Sequence, residues 1–255
     1  MRKLFYSICA LLILFIYSSS FDTFAVEKSN ILKKEKEITD LDTLYEKALN
    51  GITDNKEIDE QLKSTAILSG DNGTFSTNDV LITTQELISE QTDKGLKESY
   101  VTTTFASVNL DELRKESNIQ PFADRGKEDY DPTGSVKAYS RIYYDITTKD
   151  GQTHYAITKV TGGWTSYDAF ISFKNTKVKI SQTGATKYSG CNAGFCDDQI
   201  ETKTVSGSTF SYTSPMTSWK PVVNTTYTMI GVKQTATLYD NSSSWNFTFD
   251  NILFR

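Results

Sequence analysis

Histidine and cysteine, which most often build metal sites and nucleophilic centres, are scarce in this 255-residue chain. It has one histidine, His154, and three cysteines, of which Cys9 lies near the N-terminus. A structural zinc site needs about four ligands at characteristic spacing. The motifs G-x-S-x-G and H-E-x-x-H and the P-loop are also absent from the sequence. We therefore predict no catalytic constellation, no metal centre and no cofactor, and interpret His154 as a surface strand residue.

Carboxylates are few in the second half, which limits carboxylate catalysis. Eight acidic residues lie between 135 and 255, and most fall at predicted turns, where Asp is favoured for backbone reasons. Asp168 alone is expected mid-strand among aromatic residues. Asp197, Asp198 and Glu201 form a candidate Ca²⁺ cluster, although a solvated acidic loop explains them as simply. A carboxylate-dependent glycoside hydrolase remains an alternative function.

The first residues have the pattern of a secretory leader. Arg2 and Lys3 precede an apolar run over about 4–17, and a small-x-Ala cleavage site ends at Ala25. The apolar run is shorter than the roughly 20 residues that span a bilayer. We therefore predict a signal peptide at 1–25 and a secreted, extracellular mature protein with no membrane anchor after cleavage.

Cleavage would leave two cysteines, Cys191 and Cys196, five positions apart. In an exported protein such a pair favours a disulfide, and a redox pair would more often have C-x-x-C spacing. Free thiols and metal binding are the remaining interpretations. We predict a structural Cys191–Cys196 disulfide, which contributes about 2 kcal/mol or less because it closes so short a loop.

Charge and composition change along the mature chain. Residues 26–134 carry 23 Asp or Glu against 13 Lys or Arg, whereas residues 135–255 carry 8 against 12. The stretch 117–134, with two prolines and two glycines, is typical of an exposed linker. We therefore divide the chain into an acidic N-terminal region at 26–116, the linker, and a β domain at 135–255. The N-terminal region is a candidate pro-region that would mask the basic domain until the linker is cut.

The N-terminal region is predicted to be a small α+β unit. Helical spacing of apolar residues after Asp40 predicts a helix over 40–49, and 55–68 is a second candidate. Residues 79–108 change to a period of two and predict two strands around a turn at 93–95.

The second half is predicted to be an antiparallel β-sandwich or open barrel, because short alternating runs recur at regular spacing. The segment "KDG" at 149–151 is a hairpin signal. We expect Gly162 and Gly163 to interrupt a strand, a further turn at 175–176, and a last hairpin that joins 227–240 to 243–254. The fold class is therefore mainly β.

One strand carries a candidate binding face. In "SVKAYSRIYYDI" one face holds Val136, Ala138, Ser140, Ile142 and Tyr144. The other face interleaves basic residues and tyrosines: Lys137, Tyr139, Arg141 and Tyr143. Trp164, which follows the glycine pair, is a further candidate. Exposed aromatic residues stack on sugars or anchor protein contacts, but a strand covered on both faces would show the same pattern.

The segments "YDPTGSVKAYSRIYYDI" and "YAITKVTGGWTSYDAFISF" resemble the YolA-type group of small exported proteins of Bacillus-like, Gram-positive bacteria, some of which prophages encode. The resemblance covers residues 130–255 and leaves the acidic first half unmatched. It implies an extracellular β-rich protein and brings no activity or catalytic residues.

The leading functional hypothesis is a secreted, non-catalytic protein that acts by binding a cell-surface ligand, either an anionic envelope polymer or a carbohydrate. A membrane-active toxin or antibacterial effector is an alternative, as is the hydrolase. Nucleic acid is not an expected partner, because the net charge is −5 and no basic cluster is dense.

Overall fold

The computed structural model describes residues 29–70, 73–77, 80–93, 95–109, 135–149, 151–186, 196–226, 228–240 and 243–254. The predicted leader, the linker at 117–134 and Cys191 lie outside these residues, and the side chain of Cys196 is likewise not described. The disulfide and the signal peptide therefore stay predictions.

Strands dominate the described residues, with two short helices near the N-terminal end. In chain order the elements are β1 (Asn30–Lys34), α1 (Leu41–Leu49), α2 (Lys56–Gln61), β2 (Lys63–Gly70), β3 (Gly73–Thr77), β4 (Val80–Thr92), β5 (Gly95–Asn109), β6 (Ser135–Lys149), β7 (Gln152–Ser166), β8 (Ile171–Gly184), β9 (Cys196–Thr204), β10 (Thr209–Tyr212), a 3₁₀ turn (Met216–Ser218), β11 (Val222–Val223), β12 (Met229–Asp240) and β13 (Ser243–Phe254).

The strands form two antiparallel sheets. Sheet A has seven strands in the order β1-β4-β5-β6-β7-β10, and β11 also pairs with β7. Sheet B has six strands in the order β3-β2-β13-β12-β8-β9. The predicted fold class, a mainly β antiparallel sandwich with a small helical region near its N-terminal end, is confirmed.

Both sheets draw strands from both sides of the 117–134 stretch. In sheet A, β5 pairs with β6 over fourteen residues, from Leu96↔Thr148 to Asn109↔Ser135. In sheet B, β13 pairs with β2. The predicted N-terminal region thus supplies β1–β5 to the same two sheets as the C-terminal half. This pairing conflicts with the pro-region hypothesis, because removal of 26–116 would take five strands out of the sandwich.

One predicted helix is present as expected, and the other is shorter than predicted. The helix predicted at 40–49 is confirmed, and the Asp40 side chain caps it by accepting a hydrogen bond from the Thr43 amide at 2.9 Å. The second helix was expected to continue to residue 68, but it ends at Gln61 and β2 begins at Lys63. Pairing of β2 with β13 therefore overrides the helical spacing.

Two predicted hairpin turns are confirmed, and two other predicted breaks are wrong. The turns after β4 and β6 use Gly95 and Gly151, both at positive φ. In contrast, β7 runs through Gly162 and Gly163 without a turn. Residue Asn175, at φ +52°, is an irregular point inside β8, where the register with β12 shifts. The expected final hairpin forms between β12 and β13.

The core lies between the two inner faces. All five residues predicted to share one face of β6 are buried there, and from sheet B it receives Phe247, Phe249 and other apolar side chains. Side-chain amides also join the sheets: Gln234 donates to the Tyr139 carbonyl at 2.8 Å, and Gln182 accepts from the Ile157 amide at 2.6 Å. Each sheet therefore turns one outer face away from the core, and these two faces carry the candidate sites.

Candidate functional site

Four of the five candidate binding residues lie together on the outer face of sheet A. Lys137, Tyr139, Arg141 and Tyr143 alternate with the buried inner residues of β6. The register brings neighbours of β5 and β7 beside them, so that Tyr143 pairs with Val101 and Lys159. The Lys159 Nζ lies 4.7 Å from the centre of the Tyr143 ring, a cation–π contact.

The fifth candidate, Trp164, lies on the opposite face, and its assignment to the binding face is wrong. It pairs with Ala138, is only 1% exposed, and lies against Phe210 at 5.7 Å between ring centroids. The error follows from the glycine pair. Because β7 continues through Gly162 and Gly163, strand alternation points Trp164 into the core.

The middle of this outer face is covered by the chain itself. Residues 35–40, which we call the strap, leave the edge of sheet A after β1 and cross the sheet towards α1. The Glu35 amide still donates to the Leu87 carbonyl of β4 at 2.8 Å. The Gln85 side chain then holds the strap backbone twice, because its Nε2 donates to the Lys36 carbonyl at 2.8 Å and its Oε1 accepts from the Ile38 amide at 2.9 Å.

The strap inserts an acid among the basic residues. Glu37 Oε1 lies 2.9 Å from Arg141 Nη2 and accepts the Tyr143 hydroxyl at 2.7 Å. Arg141 Nη2 also donates to the Ile38 carbonyl at 2.8 Å. Burial, followed by the hydrogen bond to Glu37, raises the pKa of Tyr143 to about 12. Arg141 and Tyr143 are only 5% and 8% exposed, so the predicted site is already filled by the protein's own carboxylate.

The remaining part of this face is less covered and rich in aromatic rings. The Lys137 Nζ lies 4.9 Å from the ring centres of both Tyr45, on α1, and Tyr167, in the turn after β7. Tyr45 in turn meets Phe105 edge-on at 5.4 Å. The lysine is thus held between two rings, which fixes its position near the end of the sheet.

The turn at 167–170 explains the role of Asp168. Asp168 was expected in the middle of a strand over 165–174, but β7 ends at Ser166 and β8 begins at Ile171. Asp168 is buried, and its Oδ1 accepts the Phe170 amide at 2.9 Å while its own amide donates to Ser166 Oγ at 3.1 Å. This is a turn-forming use of aspartate. The same turn leaves Tyr167 and Phe170 exposed.

The only histidine is buried, so its interpretation as a surface residue is wrong. His154 lies on β7 and is 8% exposed, because β11 pairs alongside through Val223. Among the described residues, no group of three His, Cys, Asp or Glu side chains is placed to hold a metal ion. Within that same part of the chain, no helix is both long and apolar enough to cross a membrane.

The outer face of sheet B carries a second group of basic residues that sequence reasoning missed. We call it the lysine face, formed by Lys174, Lys177, Lys179 and Lys233 with the intervening threonines. Lys179 pairs directly with Lys233 across β8 and β12, and Lys177 pairs with Thr235. On β9, Thr202 and Thr204 continue the same rows beside Lys179 and Lys177.

These lysines are exposed and only partly neutralised. Lys233 Nζ lies 2.8 Å from Asp250 Oδ2 on β13. The Lys174 Nζ lies 4.4 Å from the centre of the Tyr239 ring. Lys177 and Lys179 form no ion pair with any residue that the structure describes. The face therefore carries excess positive charge at its centre.

A sequence signal for this face exists in "KNTKVK", where Lys177 and Lys179 alternate with Val178. Alternation places both lysines on the solvent side of β8. The contribution of Lys233 depends on its cross-strand pairing, and the outward position of Lys174 depends on the irregularity at Asn175. Neither can be read from the local sequence.

Comparison with models of protein families, with curated proteins and with solved structures found no match to this chain. The resemblance of residues 130–255 to the YolA-type group therefore stays a prediction.

Proposed function

We propose that this is a secreted, non-catalytic protein that binds an anionic polymer of the cell envelope through the lysine face. The observation that supports this proposal best is the cluster of exposed lysines on sheet B, where Lys177 and Lys179 have no acidic partner among the described residues. Secretion rests on the leader sequence at 1–25.

Charge density supports a polymeric anion. Residues two apart on a strand lie about 7 Å apart on one face, and directly paired residues lie about 5 Å apart. Lys179 is therefore a direct neighbour of both Lys177 and Lys233, so three positive charges lie close together. Asp250 is the acid beside them. A single phosphate would use only part of this charge, whereas a chain of phosphates would engage all of it.

The hydroxyl groups of the same face support recognition beyond charge. Thr202 and Thr204 on β9 and Thr235 on β12 flank the lysines in the sheet register. Hydroxyl groups donate to phosphate oxygens and accept from sugar hydroxyls, and lysine acts as a point charge towards phosphate. The arrangement suits a polymer that alternates phosphate with a polyol or sugar.

The positions of the catalytic candidates also support binding rather than hydrolysis. Asp168 is buried and shapes a turn, and His154 is buried beside β11. Neither arrangement presents a carboxylate or imidazole to a substrate.

The test is binding of the mature chain to beads that carry poly(glycerol phosphate). A triple variant, Lys177→Gln, Lys179→Gln and Lys233→Gln, should lose roughly tenfold or more in affinity at about 0.05 M salt, because each lysine neutralises a phosphate. Binding of the unsubstituted chain should fall steeply as salt rises.

The matched control removes the same charge elsewhere, through Lys34→Gln, Lys47→Gln and Lys56→Gln. This control should bind nearly as well as the unsubstituted chain. Equal losses in both triple variants would reduce the effect to net charge and contradict a specific face. Dye release from anionic vesicles, with no retention on the beads, would instead favour the membrane-active alternative.

A further inference from the structure

The strap is bound to sheet A in the way an extended peptide is bound by a receptor. β1 extends the sheet edge by pairing with β4, from Asn30↔Gln91 to Lys34↔Ile88. Beyond β1, the backbone is held by side chains: Gln85 bonds both Lys36 and Ile38, two residues apart. Edge pairing combined with pockets for alternate side chains is a recurring mode of peptide recognition.

Arg141 and Tyr143 form a pocket that binds the side chain of a glutamate. Arg141 Nη2 and the Tyr143 hydroxyl both contact the same oxygen, Glu37 Oε1, at 2.9 and 2.7 Å. A cationic nitrogen and a phenol together select a carboxylate over a neutral amide. Lys159, over the Tyr143 ring, adds a second positive charge nearby.

The pocket also has polar atoms that the strap does not satisfy. Arg141 Nε and Thr103 Oγ1 are buried and have no hydrogen-bond partner among the described residues. Thr103 pairs with Arg141 across β5 and β6, so both atoms belong to the same part of the face. Buried polar atoms without partners are uncommon in proteins and call for an explanation.

We propose that Gln85, Arg141 and Tyr143, together with the edge of β4, form a peptide-binding site for an extended segment that carries a glutamate, and that residues 30–38 occupy it in cis. A second segment of this chemistry, presented by another protein chain, binds by displacing the strap. This site is separate from the lysine face and does not depend on the proposed polymer binding.

Displacement is feasible because the side-chain anchoring of the strap is concentrated in one residue, Glu37. Glu35, Lys36, Thr39 and Asp40 are exposed, and the segment between β1 and α1 has no regular secondary structure. The apparent association constant for a second peptide equals the intrinsic association constant multiplied by the fraction of molecules whose site is open. A change that weakens the cis contact should therefore strengthen binding in trans.

The probe is a fluorescein-labelled peptide with the sequence of residues 30–40, NILKKEKEITD, measured by anisotropy against the full mature chain. The Glu37→Gln chain should bind it about tenfold more tightly than the unsubstituted chain, because the cis carboxylate no longer competes. The Glu35→Gln chain is the matched control and should bind like the unsubstituted chain. A Glu37→Gln chain that also carries Arg141→Gln should lose binding, as should a peptide with the same glutamate replaced by glutamine.

A second measurement does not depend on the folding of any variant. In the unsubstituted chain, excess peptide should accelerate hydrogen exchange of the Asn30–Lys34 amides, since the peptide releases β1 from β4. The proposal is overturned if the peptide binds the Glu37→Gln chain no better than the unsubstituted one while exchange in β1 stays unchanged. That result would make the strap a fixed structural element.

Discussion

The two outer faces of the sandwich follow the same rule of strand alternation, but one is covered by the chain and the other is exposed. On sheet A, Arg141 and Tyr143 look polar in the sequence but are buried, because the strap crosses over them. On sheet B, Lys177 and Lys179 remain exposed. The difference does not arise in the strands themselves. It depends on whether another part of the chain covers the face.

The largest expected effect on stability comes from weakening the packing of α1 on sheet A. Leu44, on α1, is 2% exposed although it lies outside the core between the sheets. Leu44→Ala should lower the free energy of unfolding by about 3 kcal/mol, because it leaves a cavity between α1 and the sheet. The matched change on the lysine side, Ile200→Ala, removes a side chain that is 42% exposed and should lower it by less than about 1 kcal/mol. Urea denaturation measures both, and equal losses would contradict the contrast between the faces.

An intermediate effect should appear at alkaline pH. The pKa of Tyr143 is raised from 10.0 to about 12 in the folded protein, first by burial and then by its bond to Glu37. The folded state therefore holds this proton more tightly than the unfolded chain. The resulting stability is complete below pH 10 and is lost as the pH rises through 12, by about 2 kcal/mol.

Comparison of the unsubstituted chain with Tyr143→Phe isolates this contribution, since other buried tyrosines titrate in both chains. The unsubstituted chain should lose stability more steeply between pH 10 and pH 12, as measured by urea denaturation at each pH. Parallel curves would show that the Tyr143 hydroxyl is not held by the strap in solution.

The smallest expected effect concerns the lysine face. Lys179 and Lys233 are directly paired, and like charges in this arrangement are destabilising. Lys179→Thr should therefore raise the free energy of unfolding by about 0.5 kcal/mol at low salt. The gain should shrink at high salt, where the repulsion is screened. A gain that persists at high salt would point to strand propensity instead of charge.

Those features of the fold that repeat along a single strand could be predicted from the sequence. The inner residues of β6, from Val136 to Tyr144, were identified by alternation alone and are all buried. The α1 helix and its Asp40 cap are equally local. Where two local patterns compete, prediction failed: residues 63–68 fit a helical spacing but form β2, because β13 is available as a partner.

Most of the candidate site could not be predicted, because its geometry depends on distant contacts. The alternation of Lys137, Tyr139, Arg141 and Tyr143 was correct, but nothing in that strand indicates that Glu37, about a hundred residues earlier, supplies the carboxylate. Trp164 was misplaced because a glycine pair is as compatible with a strand as with a turn. The structure shows why β7 has glycine at this point. A Cβ atom on Gly162 would lie only 2.6 Å from the Tyr139 carbonyl oxygen.

The pairing of β2 with β13 also affects when the protein can fold. The contact from Ser64 to Asn251 spans 187 positions, so sheet B cannot be completed until the last strand has been synthesised. Such long-range pairing slows folding, because the chain must close a large loop first. If the protein is exported as we propose, sheet B is completed only after β13 has crossed the membrane.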